Sequence, residues 1–140
     1  HDYRLAYDSL DLPSLAVFRE QIEALKAMLL AAPPTKEQSQ DIGLLLSLGE
    51  LFTLVAYGQL IIENTHLLKV DHHLVNLIFD VMVRDFSRFA LQIYSHPGSS
   101  AAQMAHCLKL IRKPAADPDG FRVVWEGHIR PLVDGYAMNP

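Results

Sequence analysis

The chain has 140 residues, enough for one domain with a core that needs no covalent staple, since folding at this size buries about two-thirds of the unfolded surface. Half of the residues are hydrophobic and 20 % are charged, which excludes intrinsic disorder; twelve Lys and Arg against sixteen Asp and Glu leave a net −4, so no nucleic-acid partner is expected. The single cysteine, Cys107, excludes a disulfide scaffold and suits a reducing compartment, the cytoplasm.

Residues 1–11 show no signal-type apolar run and read as an extended lead-in to a bundle over 12–140. Asp11 is placed to cap the first helix, with Leu12 and Pro13 in its first turn. Leu15, Phe18, Ile22, Leu25 and Leu29 then make one apolar stripe, and Pro33-Pro34 stops the helix after Ala31 or Ala32. Thr35 with Gln38 forms a capping-box pattern, which predicts one long second helix from about Thr35 to about His66. Asp71 caps a third helix that runs to about Ser95, before His96-Pro97-Gly98. Along its polar edge, Asp80, Arg84 and Arg88 are spaced as an ion-pair ladder. Ser99 or Ser100 starts a fourth helix ending at Lys113-Pro114, with Lys109, Arg112 and Lys113 as cations for its C-terminal dipole. Asp117-Pro118 starts a fifth helix reaching about Ile129. No stretch alternates with a period of two. The fold expected is all-α: an antiparallel bundle of four to five helices with short connections. The second and third helices are apolar round most of their circumference, so both are expected at the centre.

Ile42 to Ile62 is long enough to span a bilayer, but Glu50 stands in its middle and Ser47, Gly49, Thr53 and Gly58 interrupt it. It reads as a central bundle helix, and no transmembrane segment is expected.

The candidates for chemistry are few. No pair among His1, His66, His72, His73, His96, His106 and His128 has the i, i+3 or i, i+4 spacing of a helical metal site, so no metal ligand is assigned. Cys107 lies among Met104, Leu108 and Ile111 and reads as a buried thiol. Glu50 has apolar neighbours in sequence. It reads as the buried partner of Arg84 or Arg88, with a surface position and acid–base catalysis as alternatives. The sequence has neither GxGxxG nor GxxxxGK[ST], so a glycine loop for nucleotides is unsupported.

The helix order and several segments resemble the C-terminal helical extension of very-long-chain-type acyl-CoA dehydrogenases, including the bacterial ones. The segments are Leu45 to Leu60, Val81 to Tyr94, Ile111-Arg112-Lys113-Pro114 and the terminal Tyr136-Ala137-Met138-Asn139-Pro140. The resemblance covers about Ser14 to Pro140 and implies that this is the C-terminal part of a longer chain. It implies a parent flavoenzyme that oxidises the Cα–Cβ bond of an acyl-CoA, with FAD taking the hydride and a Glu taking the α-proton. FAD and the substrate tunnel belong to the parent's other domains, so no cofactor is expected in this chain. Trp125-Glu126-Gly127-His128 is similar to the family's Tyr/Phe-Glu-Gly-Thr motif, but it lies too near the terminus and Pro131 cuts the following helix short. No catalytic, cofactor-binding or metal-binding residue is therefore assigned. The expected role is packing on the remaining domains of the parent dehydrogenase and supporting a homo-oligomer. The alternative is a free-standing dimerisation bundle, or one that holds a hydrophobic ligand between the second and third helices. A third reading is an independent enzyme using Glu50 or Glu126 with a histidine.

Overall fold

A computed structural model describes residues 4–133 and 135. Among these there is no strand, and six α-helices pack as an all-α bundle: α1 (Arg4–Tyr7), α2 (Pro13–Ala31), α3 (Ile42–Leu68), α4 (His72–Ser95), α5 (Ala101–Leu110) and α6 (Pro118–Val124). The terminal Tyr136 to Pro140 segment of the resemblance lies outside the described residues, as does His1.

The core forms around α4, which packs against α2, α3, α5 and α6. Val75, Phe79, Met82, Val83, Phe86, Ala90 and Ile93 recur at helical spacing and are all buried. Opposite them, Leu15, Phe18, Ile22, Leu25 and Met28 make the buried stripe of α2. Phe18 is the centre of an aromatic cluster, with ring centroids 5.5 Å from both Phe79 and Phe86 and 6.1 Å from Tyr7. Buried amides tie the layers together. The Gln21 amide donates to the Val83 carbonyl at 3.2 Å and to the Leu110 carbonyl at 2.8 Å, joining α2, α4 and α5. Gln38 and Gln103 exchange hydrogen bonds at 2.9 and 3.0 Å.

Several boundaries differ from the sequence reading for identifiable reasons. The lead-in is not extended throughout: Arg4–Tyr7 is a helical turn, because Tyr7 is buried and its hydroxyl donates to the Val55 carbonyl at 2.6 Å. Asp11 does not cap α2; Leu12 holds the N-cap position without a side-chain bond, and Pro13 opens the helix. The Thr35–Gln38 capping bonds form, at 3.2 and 2.9 Å, but only a 3₁₀ turn (Gln38–Gln40) follows. Asp41 is extended at ψ 106° and its carboxylate accepts from the Leu44 N–H at 3.1 Å, so a new helix starts at Ile42. The fourth predicted helix ends at Leu110, because Ser87 clamps the next residues: its hydroxyl donates to the Arg112 carbonyl at 2.8 Å and accepts from the Arg112 N–H at 2.9 Å. Lys109 alone stands in the last turn of α5. The fifth predicted helix does reach Ile129, but as α6 followed by a π-turn over Trp125–Ile129. The Asp80–Arg84–Arg88 ladder does not form as read: Asp80 accepts from the Ser14 hydroxyl and Arg88 pairs with Asp85 at 3.3 Å.

Candidate functional site

The largest departure concerns α3. Its mean hydropathy over an 18-residue window is 1.7, yet only 28 % of that window is buried. It is not a central helix. Leu44, Ser47, Leu48, Leu51, Gly58, Ile62 and Thr65 face the core. The opposite side presents Ile42, Leu46, Leu60 and Leu67, which are 73, 64, 53 and 77 % exposed. Monomeric proteins rarely display a contiguous apolar face of this length, and such faces mark interaction sites. α3 is also long and apolar enough to cross a membrane by length and composition.

On its inner side α3 fits closely. A Cβ on Gly58 would lie 2.3 Å from the Tyr7 hydroxyl and 3.2 Å from Phe18 Cε1, so only glycine lets α1 and α2 approach this point. On its outer side a Cβ on Gly49 would meet nothing within 4 Å, and the surface there is an open notch. A second apolar surface lies at the other end of the chain. Phe121 and Trp125 stack with centroids 6.3 Å apart, beside exposed Val123, Ile129, Leu132 and Val133. The π-turn carrying Trp125 is fastened to the start of α4 by His128, whose Nε2 lies 2.9 Å from Asp71 Oδ2. That contact, with a further bond from the His73 N–H, holds the Asp71 carboxyl below its ordinary pKa.

The residues singled out from sequence do not converge. Glu50 is exposed on the flank of α3 rather than buried, and no ion pair joins it to Arg84 or Arg88. The apolar run around it misled the reading, because half of that run faces outward. Glu126 is exposed on the π-turn. Cys107 is buried, its sulfur 3.7 Å from the Met28 sulfur, and desolvation pushes its pKa up to about 11. The histidines are scattered: His66 meets the Ser9 hydroxyl at 2.7 Å, His96 lies 3.4 Å from Asp41, and His72 and His73 are exposed. Among the described residues, no three of His, Cys, Asp and Glu come together as a metal would need. Arg112 pairs with Glu20 at 2.6 Å.

An open groove of about 510 Å³ between α1 and α2 is bridged by the Arg19–Asp8 and Arg4–Glu23 ion pairs. The cavity bounded by Met28, Leu44, Leu48 and Ile93 measures about 10 Å³, too small for an acyl chain. No family model matches the chain, and neither a curated protein nor a solved structure does. The dehydrogenase resemblance therefore rests on the quoted segments alone.

Proposed function

We propose that this chain is a non-catalytic helical-bundle domain of an FAD-dependent acyl-CoA dehydrogenase, which acts in fatty acyl-CoA oxidation by packing on the catalytic body and supporting subunit assembly. The outer face of α3 carries this reading: a closely packed bundle displays a long apolar surface that needs a partner. The flavin and the catalytic Glu belong, on this reading, to the remaining domains of the parent, and no residue of this chain is assigned to them. The buried thiol of Cys107 is at home in the cytoplasm.

The test is the reading frame upstream of the His1 codon. A frame that stays open through a catalytic body with a Tyr/Phe-Glu-Gly motif, and whose product is a yellow flavoprotein that dehydrogenates acyl-CoA, supports the proposal. A start codon beside His1 ends it. The second reading, a free-standing dimerisation bundle, then takes its place, since the same α3 face favours it. Acyl-ligand binding between α3 and α4 has no comparable observation behind it, given a cavity of about 10 Å³.

A further inference from the structure

We propose that α3 pairs with α3 of a second copy of this chain, antiparallel, along a single seam. The outer face of α3 is a coiled-coil stripe. Ile42, Leu46, Gly49, Thr53, Ala56 and Leu60 follow one another at alternating steps of four and three, and Glu63 and Leu67 continue the series. This stripe is separate from the inward residues of α3, so it has no task within the subunit.

The stripe is small in the middle and large towards both ends, and the layer that discriminates direction is the one at Gly49. In an antiparallel pair centred between Thr53 and Ala56, Gly49 of one copy faces Leu60 of the second copy, Ile42 faces Leu67, and Leu46 faces Glu63, whose carboxylate already accepts from the Gln59 amide at the edge of the seam. Leu60 is then the knob for the open notch at Gly49, where nothing lies within 4 Å of an added Cβ. A parallel pair would set Gly49 against Gly49, Leu60 against Leu60 and Glu63 against Glu63. That arrangement makes a hole at Gly49 and a like-charge contact at Glu63.

The flank of the stripe points the same way. Glu50 and Tyr57 are both exposed and lie one heptad apart on one side of it. The antiparallel register brings Glu50 against Tyr57 of the second copy, so the carboxylate gains a phenol donor at the rim. A parallel register leaves it beside Leu45. The inference rests on the same α3 face as the proposed function and assigns that face to subunit assembly rather than to the catalytic body; its test reads the mass of this chain and not the upstream reading frame, so either can fail alone.

The experiment is sedimentation equilibrium of the 140-residue chain, with cysteine cross-linking to set the direction. The expected mass is twice 15.7 kDa. Leu60→Glu, an exposed site in the monomer, is expected to weaken the dimer about a hundredfold or more. Chains carrying Gly49→Cys, mixed with chains carrying Leu60→Cys, are expected to form a disulfide between them. Neither variant alone should do so, because like positions then lie about 16 Å apart along the seam. A monomer at every concentration reached overturns the proposal. So does a dimer indifferent to Leu60→Glu, or Gly49→Cys chains that cross-link among themselves. A monomer that instead sediments with phosphatidylcholine vesicles also overturns it, and assigns the face to lipid.

Discussion

α3 and α4 are alike in length and in how they start, and differ in polarity and placement. Both are long, and both start at an Asp that caps a backbone N–H. Yet α4 is enclosed by four other helices, while α3 buries one side and leaves the other open. The charges mark the difference. α4 keeps Asp80, Arg84, Asp85 and Arg88 along one edge, and that edge shows where water meets it. α3 has no such edge. A helix that is apolar all round has two faces to satisfy, and a single subunit satisfies one of them here.

The comparison breaks most sharply at the aromatic residues. Phe86→Ala in α4 should cost about 3–5 kcal/mol of unfolding free energy, because it empties a site beside Phe18. Phe52→Ala on the outer side of α3 should cost the monomer less than about 0.5 kcal/mol. Urea titrations of the two variants at low protein concentration check both. Equal losses would mean that α3 is covered within the subunit after all.

The two glycines of α3 sharpen the contrast within one helix. Gly58→Ala forces a methyl into the Tyr7 hydroxyl and should destabilise by about 1–3 kcal/mol. Gly49→Ala meets open space, so the better helix propensity of Ala should stabilise the monomer by up to about 1 kcal/mol. Thermal or urea unfolding reads the opposite signs.

At the helix starts the expected effects are smaller. Asp71→Ala should cost about 1 kcal/mol as a lost cap of α4. His128 and the His73 N–H hold the Asp71 carboxyl below its ordinary pKa, so its contribution is present at neutral pH. That contribution should fade as the pH falls below about 4, through the pKa of the unfolded carboxyl and then the folded one. The acid limb of stability against pH should therefore be shallower in Asp71→Asn than in the unaltered chain. Smallest of all, Glu50→Gln should leave monomer stability within about 0.5 kcal/mol, since the carboxylate is exposed. A loss of several kcal/mol would return Glu50 to the interior.

Much of the fold was legible because its signals are local. The stripe of α2 from Leu15 to Leu25, the Asp71 start of α4 and the Asp117-Pro118 start of α6 stand as read, Ser100 is the cap of the two serines offered for α5, and Met28 rather than Leu29 closes the α2 stripe. The misreadings arise where a distant partner decides. Nothing in 1–11 shows that Tyr7 will find Gly58, and nothing near Thr35 shows that Asp41 will restart the helix. The candidate surface was hidden for a related reason. Hydropathy states that α3 avoids water but not which partner supplies the shelter, so Glu50 was assigned an interior that does not enclose it. The heptad steps from Ile42 to Leu67 were present in the sequence, but they separate from the core-facing residues only once both sides of the helix are seen.

The long-range hydrogen bonds of α2 bear on the order in which the chain assembles. Ser14 is held by Asn76, 62 positions later, and Gln21 by Val83 and Leu110, 62 and 89 positions later. α3 and α4 are consecutive and can close as a hairpin on their own. During synthesis α2 leaves the ribosome before any of these partners is made. Its apolar stripe waits for α4, and the Gln21 amide completes its bonds only once residue 110 has emerged, so a helix made before its partners is among the last to be locked in place.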